Sequence, residues 1–258
     1  MERAIAFPDA DISDFSLAQV SRRHVDKAPK PSLSYRMPQL DRETASEAFP
    51  IPDVIPIFPL PYVVFFPYTY LPLHIFEPRY RDMITQASQE GQCIGMVLLK
   101  EGWENDYYGV PPVFSLGCVG RIKNIQSLAD GRSNVILHGL SRYDIEEEFF
   151  DTSYRRAKIT LRANEPFQDP VDPGLRLGLT KLALQYLRAR KAQELCKLIT
   201  GQSISDTVLI NSLSSCLDFT PFEKQFLLES ESLHQQTRRL IDLLRFKLDA
   251  QKHSTELE

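Results

Sequence analysis

Residues 58–84 read FPLPYVVFFPYTYLPLHIFEPRYRDMI. Their apolar and aromatic density is that of a buried β-strand, yet prolines fall at 59, 61, 67, 72 and 78. Proline has no N–H for a sheet ladder and is confined to strand edges, strand starts and bulges. The segment therefore reads as bent, proline-punctuated strand whose edge is not fully sealed. On that reading Phe65, Phe66, Tyr68 and Tyr70 lie near a surface where an extended peptide could add by apolar contacts and backbone hydrogen bonds. A second reading stands beside it: aromatics at this density also fill cores, and prolines also protect a sheet from edge-to-edge aggregation.

Downstream, Pro78 suits a first helical position, and Tyr80, Met83, Ile84 and Ala87 recur on one helical face, with Gly91 placed to stop the helix. CIGMVLL (93–99) is a buried-strand run, and GWENDYYGVPP (102–112) is a long loop by its Gly, Asn and Pro content. Trp103 in that loop is a candidate clamp, because an amphipathic ring suits a wet binding edge. Asp130-Gly131 marks a hairpin between GRIKNIQS and NVILHGL. Ile122 and Ile125 break the alternation of the first of these strands, which predicts a bulge near Asn124. Further on, Tyr143 and Ile145, then Ala157, Ile159 and Leu161, alternate with polar residues, so one face is buried and the other solvated.

NEPFQDPVDPG (164–174) is a proline-rich hinge, and composition shifts beyond it. Leu175–Ile199 has helical periodicity. A second helix starts near Ser205. A third opens with Thr220-Pro221-Phe222-Glu223, an N-cap, a first-turn proline and a capping-box glutamate. The last, about 231–250, aligns Leu233, Leu240, Ile241, Leu244 and Leu248. The expected architecture is α+β: a leader over 1–52, with a short helix available around 14–23; a β domain over 53–163; a hinge over 164–174; a helical bundle over 175–250; and a tail over 251–258.

The net charge of −4 argues against a dedicated nucleic-acid binder. The basic runs Arg155-Arg156-x-Lys158 and Arg188-x-Arg190-Lys191 also lack the interleaved aromatics that stack bases. No run approaches the roughly 18 apolar residues of a membrane span, and the acidic N-terminus MERAIAFPDADISDF is unlike a secretory signal. Cys93, Cys118, Cys196 and Cys216 are widely spaced, without a CxxC pair, and read as reduced structural thiols of a cytoplasmic protein. His74 lacks a nucleophile in a recognisable context and reads as a hydrogen-bonded structural histidine. Glu77 with Arg79, and Glu146–Glu148, read as structural pairs or solvated strand ends rather than as catalytic or metal groups.

The ordered set IPIFPLPYVVFFPYTYLPLHIFEPRYRDMI (55–84), IGMVLLKEG (94–102), PPVFSLGCVGRI (111–122) and ILHGLSRYDIEEE (136–148), with TPFEKQFLLES and RRLIDLL in the helical part, resembles the N-terminal substrate-binding domain of the Lon protease family. The resemblance covers about residues 53–250 and implies a small PUA-like barrel or sandwich around one helix, packed on a helical bundle. Full Lon proteases also carry an ATPase and a serine–lysine protease. The phosphate loop G-x-x-x-x-G-K-[ST] does not occur, since no glycine here is followed by lysine. The expected role is therefore non-enzymatic and free of cofactors or metals: a stand-alone recognition module that binds unfolded or extended polypeptide, or helps a separate protease. The alternative is an RNA-binding PUA-like protein. A patch of ~500 Å² yields roughly 12 kcal/mol gross against an association cost of about 4–15 kcal/mol, so the expected capture is weak and transient.

Overall fold

The computed structural model describes residues 5–6, 49–90, 92–162, 171–192, 195–196, 199–200 and 204–255. The short helix expected around 14–23, the stop at Gly91 and most of the 164–174 hinge lie outside the described residues. Seven strands form one sheet: β1 (Ile5–Ala6), β2 (Val54–Leu60), β3 (Tyr70–Ile75), β4 (Cys93–Leu98), β5 (Leu116–Ser127), β6 (Ser133–Phe149) and β7 (Arg156–Leu161). Their order is β1-β3-β6-β5-β4-β2-β7, and β7 pairs back onto β6. Five strands (β6, β5, β4, β2, β7) thus close into a barrel. β6 is long enough to take two partners on one side, β3 along Ser133–His138 and β7 along Tyr143–Phe149. All the pairings are antiparallel except β2 with β4, which is parallel.

The expected hairpin is present, with Gly131 at φ 81° between β5 and β6. The expected bulge is present too, as a register shift between Ile122 and Asn124. Glycines make room for large rings inside the barrel. The buried Tyr143 ring lies where a side chain on Gly95 or Gly117 would stand, its hydroxyl 2.6 Å from either Cβ position.

The prolines of the opening segment do two separate jobs. Consecutive N–H groups of a strand point to opposite sides. The Ile57 N–H goes to Arg155 O on the β7 side, and Leu60 O accepts from Leu99 N on the β4 side. Pro59 therefore faces the β7 side beyond the last β2–β7 pair, Pro56 with Arg156. Pro56 faces the β4 side just before that ladder begins at Ile57 with Gly95. Each proline sits where β2 has no partner to donate to, so a strand of the closed barrel tolerates both. In β3 the Thr69 carbonyl accepts from Gly139 N at 2.9 Å, which sets residues 71, 73 and 75 toward β6. By alternation Pro72 faces the outer edge.

Helix α1 (Pro78–Gln89) follows β3 and buries Tyr80, Met83, Ile84 and Ala87, as its spacing predicts. The helical part comprises α2 (Pro173–Ala189), α3 (Asp206–Cys216), α4 (Pro221–Leu228) and α5 (Leu233–Thr255). Ser205 caps α3, and Thr220 with Glu223 forms the capping box of α4. The helix expected to run to Ile199 stops at Ala189. Lys191 adopts φ 59°, and the Lys191 and Ala192 N–H groups turn back onto Arg188 O and Leu187 O. A left-handed residue at this position closes a helix C-terminus. Val64, Phe66, Leu98 and Leu116 from the β part share one apolar cluster with Leu179, Tyr186, Leu213, Leu227 and Leu240 from the helices.

All four cysteines are free thiols. Burial pushes the Cys93 thiol up to about 12 and raises that of Cys118 further. Because the thiolate is the reactive form, native protein at pH 8 is expected to be alkylated first at the half-buried Cys196, with Cys93 and Cys118 untouched until unfolding. Peptide mapping by mass spectrometry reads this out; equal native rates at all four sites would contradict the burial.

Candidate functional site

Closing the barrel removes strand edges, and β3 lies beyond the closure. Its inner side is zipped to β6 from Tyr70–His138 to Ile75–Ser133. Its outer side carries β1, antiparallel, with Ile5 opposite His74 and Ala6 opposite Leu73. Among the described residues that ladder reaches Leu73, next to Pro72, the outward-facing residue with no N–H to offer. Thus β3 presents an edge that accepts a short extended segment, here one from the chain's own N-terminal region.

Of the five aromatic residues expected at a surface, two border this edge. Tyr68 sits at φ 61° and is 38% exposed, and the Tyr70 ring lies 4.8 Å from the His138 ring. Phe65, Phe66 and Trp103 are a correction: they are buried at 3%, 0% and 4% exposure. After β2 the chain dips inward at 64–66. Gly139 leaves space for it, since a Cβ there would stand 2.2 Å from Phe66 O. The Thr69 hydroxyl then donates to Phe66 O at 2.7 Å and holds the turn. Phe66 faces the helices, Phe65 fills the barrel cluster with Leu73 and Ile122, and Trp103 packs with Tyr107 and Val113. The loop over 102–112 shields the indole by forming a 3-10 turn at Trp103–Asp106.

A second feature lies where that loop meets α1 and the segment before β7. Glu77, buried at the start of α1, receives the Arg79 Nε at 3.0 Å and the Tyr107 hydroxyl at 2.7 Å. The Arg79 guanidinium is stacked among Tyr80, Tyr107 and Tyr108, 4.6, 5.0 and 5.8 Å from their ring centroids. Arg155 enters from the other side, donating to Pro111 O at 2.8 Å and to Glu148 at 3.3 Å. Burial lowers the Arg155 pKa. Of these groups, Arg79, Tyr80, Tyr107, Tyr108, Pro111 and Arg155 line a cavity of about 160 Å³. The Glu77–Arg79 pairing is legible in the sequence. Tyr107 and Arg155 are not, because no spacing rule links residues 28 and 76 positions away from Arg79.

The remaining candidates have structural partners. The His74 Nδ1 pairs with Asn134 Oδ1 at 2.8 Å. Arg156 pairs with Asp151 and Lys158 with Glu146, so acids accompany the first basic run. In the second run Arg190 lies 3.7 Å over the Tyr186 ring.

A closed barrel with β1 paired on the outer edge of β3, packed on helices, defines a fold of the α+β class. The profile of the ATP-dependent protease La (LON) substrate-binding domain matches residues 54–245, and the chain belongs to that family. It is 27% identical over 215 residues to Lon protease 2 of Myxococcus xanthus, covering 81% of this chain and 25% of that protein. Lon protease of Anaeromyxobacter dehalogenans gives the same identity and coverage. The chain thus spans about a quarter of the length of these relatives. The solved structures that share the fold include two Lon N-terminal domains. One is a Lon N-terminal domain protein from Xanthomonas campestris, with TM-score 0.55 and 23% identity, covering 74% of this chain and 97% of that one. The other is the N-terminal domain of the Mycobacterium avium complex Lon protease, with TM-score 0.57 and 19% identity, covering 74% and 98%. Among the described residues, no helix is long and apolar enough to cross a membrane.

Proposed function

We propose that the protein captures extended or unfolded polypeptide without chemistry of its own, as a stand-alone Lon-type recognition module in the cytoplasm or as a helper to a separate protease. The observation that carries this reading is the outer edge of β3, which takes Ile5–Ala6 as an antiparallel partner. Strand addition needs no particular side-chain sequence, because main-chain hydrogen bonds supply the affinity. It therefore suits a module whose ligands share only an unfolded backbone. Tyr68 and Tyr70 flank the edge and add apolar contact. The RNA-binding alternative gains no support from the first basic run, where Arg156 and Lys158 pair with acids.

On this reading the chain's own β1 competes with the ligand, and the competent fraction sets the apparent affinity. Ile5→Pro removes an N–H from β1 and is expected to tighten binding of a labelled, permanently unfolded polypeptide severalfold. His74→Pro removes an outward N–H from β3 and is expected to abolish binding while melting cooperatively. Fluorescence anisotropy at two salt concentrations measures both; apolar and main-chain capture holds at high salt, whereas RNA-type binding falls steeply. Wild-type affinity in both variants would remove β3 from consideration.

A further inference from the structure

We infer that the Arg79–Arg155 cavity is a binding site for a small monovalent carboxylate carrying one apolar or aromatic group, such as the final residue of a polypeptide chain. The Arg79 Nη2 is buried and, among the described residues, has no hydrogen-bond partner. Buried polar groups are ordinarily satisfied, and a buried cationic donor more strictly than a neutral one. The neighbouring acceptors are already engaged. Glu77 Oε2 takes the Arg79 Nε and Oε1 takes the Tyr107 hydroxyl, while Glu148 takes Arg155. The Arg79 side chain, which lines the cavity, thus keeps one donor without an acceptor among the described residues.

Size and lining select the rest of the ligand. At about 160 Å³ the space is comparable to a cavity of about 150 Å³ that holds benzene. Tyr107 lies against it, and its mouth is rimmed by exposed Tyr108 and Phe150. A ring or branched aliphatic group fits there, with its acceptor against the guanidinium. A planar carboxylate matches the guanidinium fork. A phosphate dianion would bring twice the charge beside Glu77 and Glu148, so the electrostatics favour the single charge.

This inference does not rest on the β3 edge, because N-acetylphenylalanine is too short to add a strand, and either proposal can fail alone. The test titrates the intact chain with N-acetylphenylalanine, with its amide, and with a decapeptide ending in free phenylalanine, followed by heteronuclear NMR shifts. The acid is expected to perturb amides of residues 107–111 and 150–155 and to bind about tenfold or more tighter than the amide, the factor expected of one charge-assisted hydrogen bond. Arg79→Lys is expected to lose about the same factor, and Tyr108→Ala, on the exposed rim, a smaller one without loss of fold. Binding of acid and decapeptide together assigns the site to chain ends; binding of the acid alone assigns it to free small acids. Equal binding of acid and amide, or no perturbation by either, means a solvent-filled cavity and overturns the proposal.

Discussion

Arg142→Met is expected to lower folding stability by about 3 kcal/mol, which for a chain of this size is a fall in Tm of roughly 6–12 °C. Arg142 stands on β6, is 6% exposed, and sends its guanidinium across to the helical part. There one nitrogen donates to Leu228 O at 2.9 Å and also to Ser230 O, at the C-terminal end of α4. The last carbonyls of a helix have no partner within the helix and carry partial negative charge, so a cation there satisfies both needs. Burial pushes the Arg142 pKa down to about 10, with Arg162 nearby adding to the effect, so the group remains charged at neutral pH. An apolar replacement removes the cost of burying that charge. It also leaves the carbonyls of two nearly inaccessible residues, Leu228 and Ser230, without this donor. The second effect wins because the carbonyls belong to the backbone and cannot be replaced along with the arginine. The comparison variant is Arg162→Gln, which breaks the half-exposed pair with Asp144 and is expected to change stability by less than about 1 kcal/mol. Chemical denaturation of both decides the matter; equal midpoints would mean that the contact from barrel to α4 contributes nothing.

Phe66→Ala is expected to be still more damaging, by about 4 kcal/mol. The ring is fully buried where barrel and helices share a cluster, among Val64, Leu98, Leu116 and residues of the helical part. Truncation would empty a space that the surrounding backbone cannot refill, since the Thr69 hydroxyl and the glycine at 139 hold the 64–69 turn close. Tyr68→Ala, two residues away and 38% exposed, is expected to stay within about 1 kcal/mol of wild type and to act on peptide capture instead. Thermal melts and anisotropy on the two variants separate these roles. Phe66→Ala protein that melts like wild type but no longer binds polypeptide would return Phe66 to the surface that its sequence suggested.

The local features of this protein were legible because they depend on spacing along one stretch of chain. Thr220 and Glu223 three residues apart make a capping box, Asp130-Gly131 makes a hairpin, a broken alternation at 122–125 makes a bulge, and Tyr80 to Ala87 make one helical face. The order of quoted segments likewise sufficed to place the chain in its family. Other features depend on groups that only the fold brings together. Proline in β2 is harmless because the partner changes from β7 to β4 at that point, a fact of sheet topology that the residues of β2 do not encode by themselves. The aromatic ribbon divides into buried Phe65 and Phe66 and accessible Tyr68 because a glycine 73 positions beyond Phe66 leaves space under the turn. The guanidinium cavity joins α1, the loop after β4 and the segment before β7. Sequence spacing determines which faces are apolar and where elements begin and end; tertiary packing alone decides which apolar faces are covered, because covering requires atoms from distant parts of the chain.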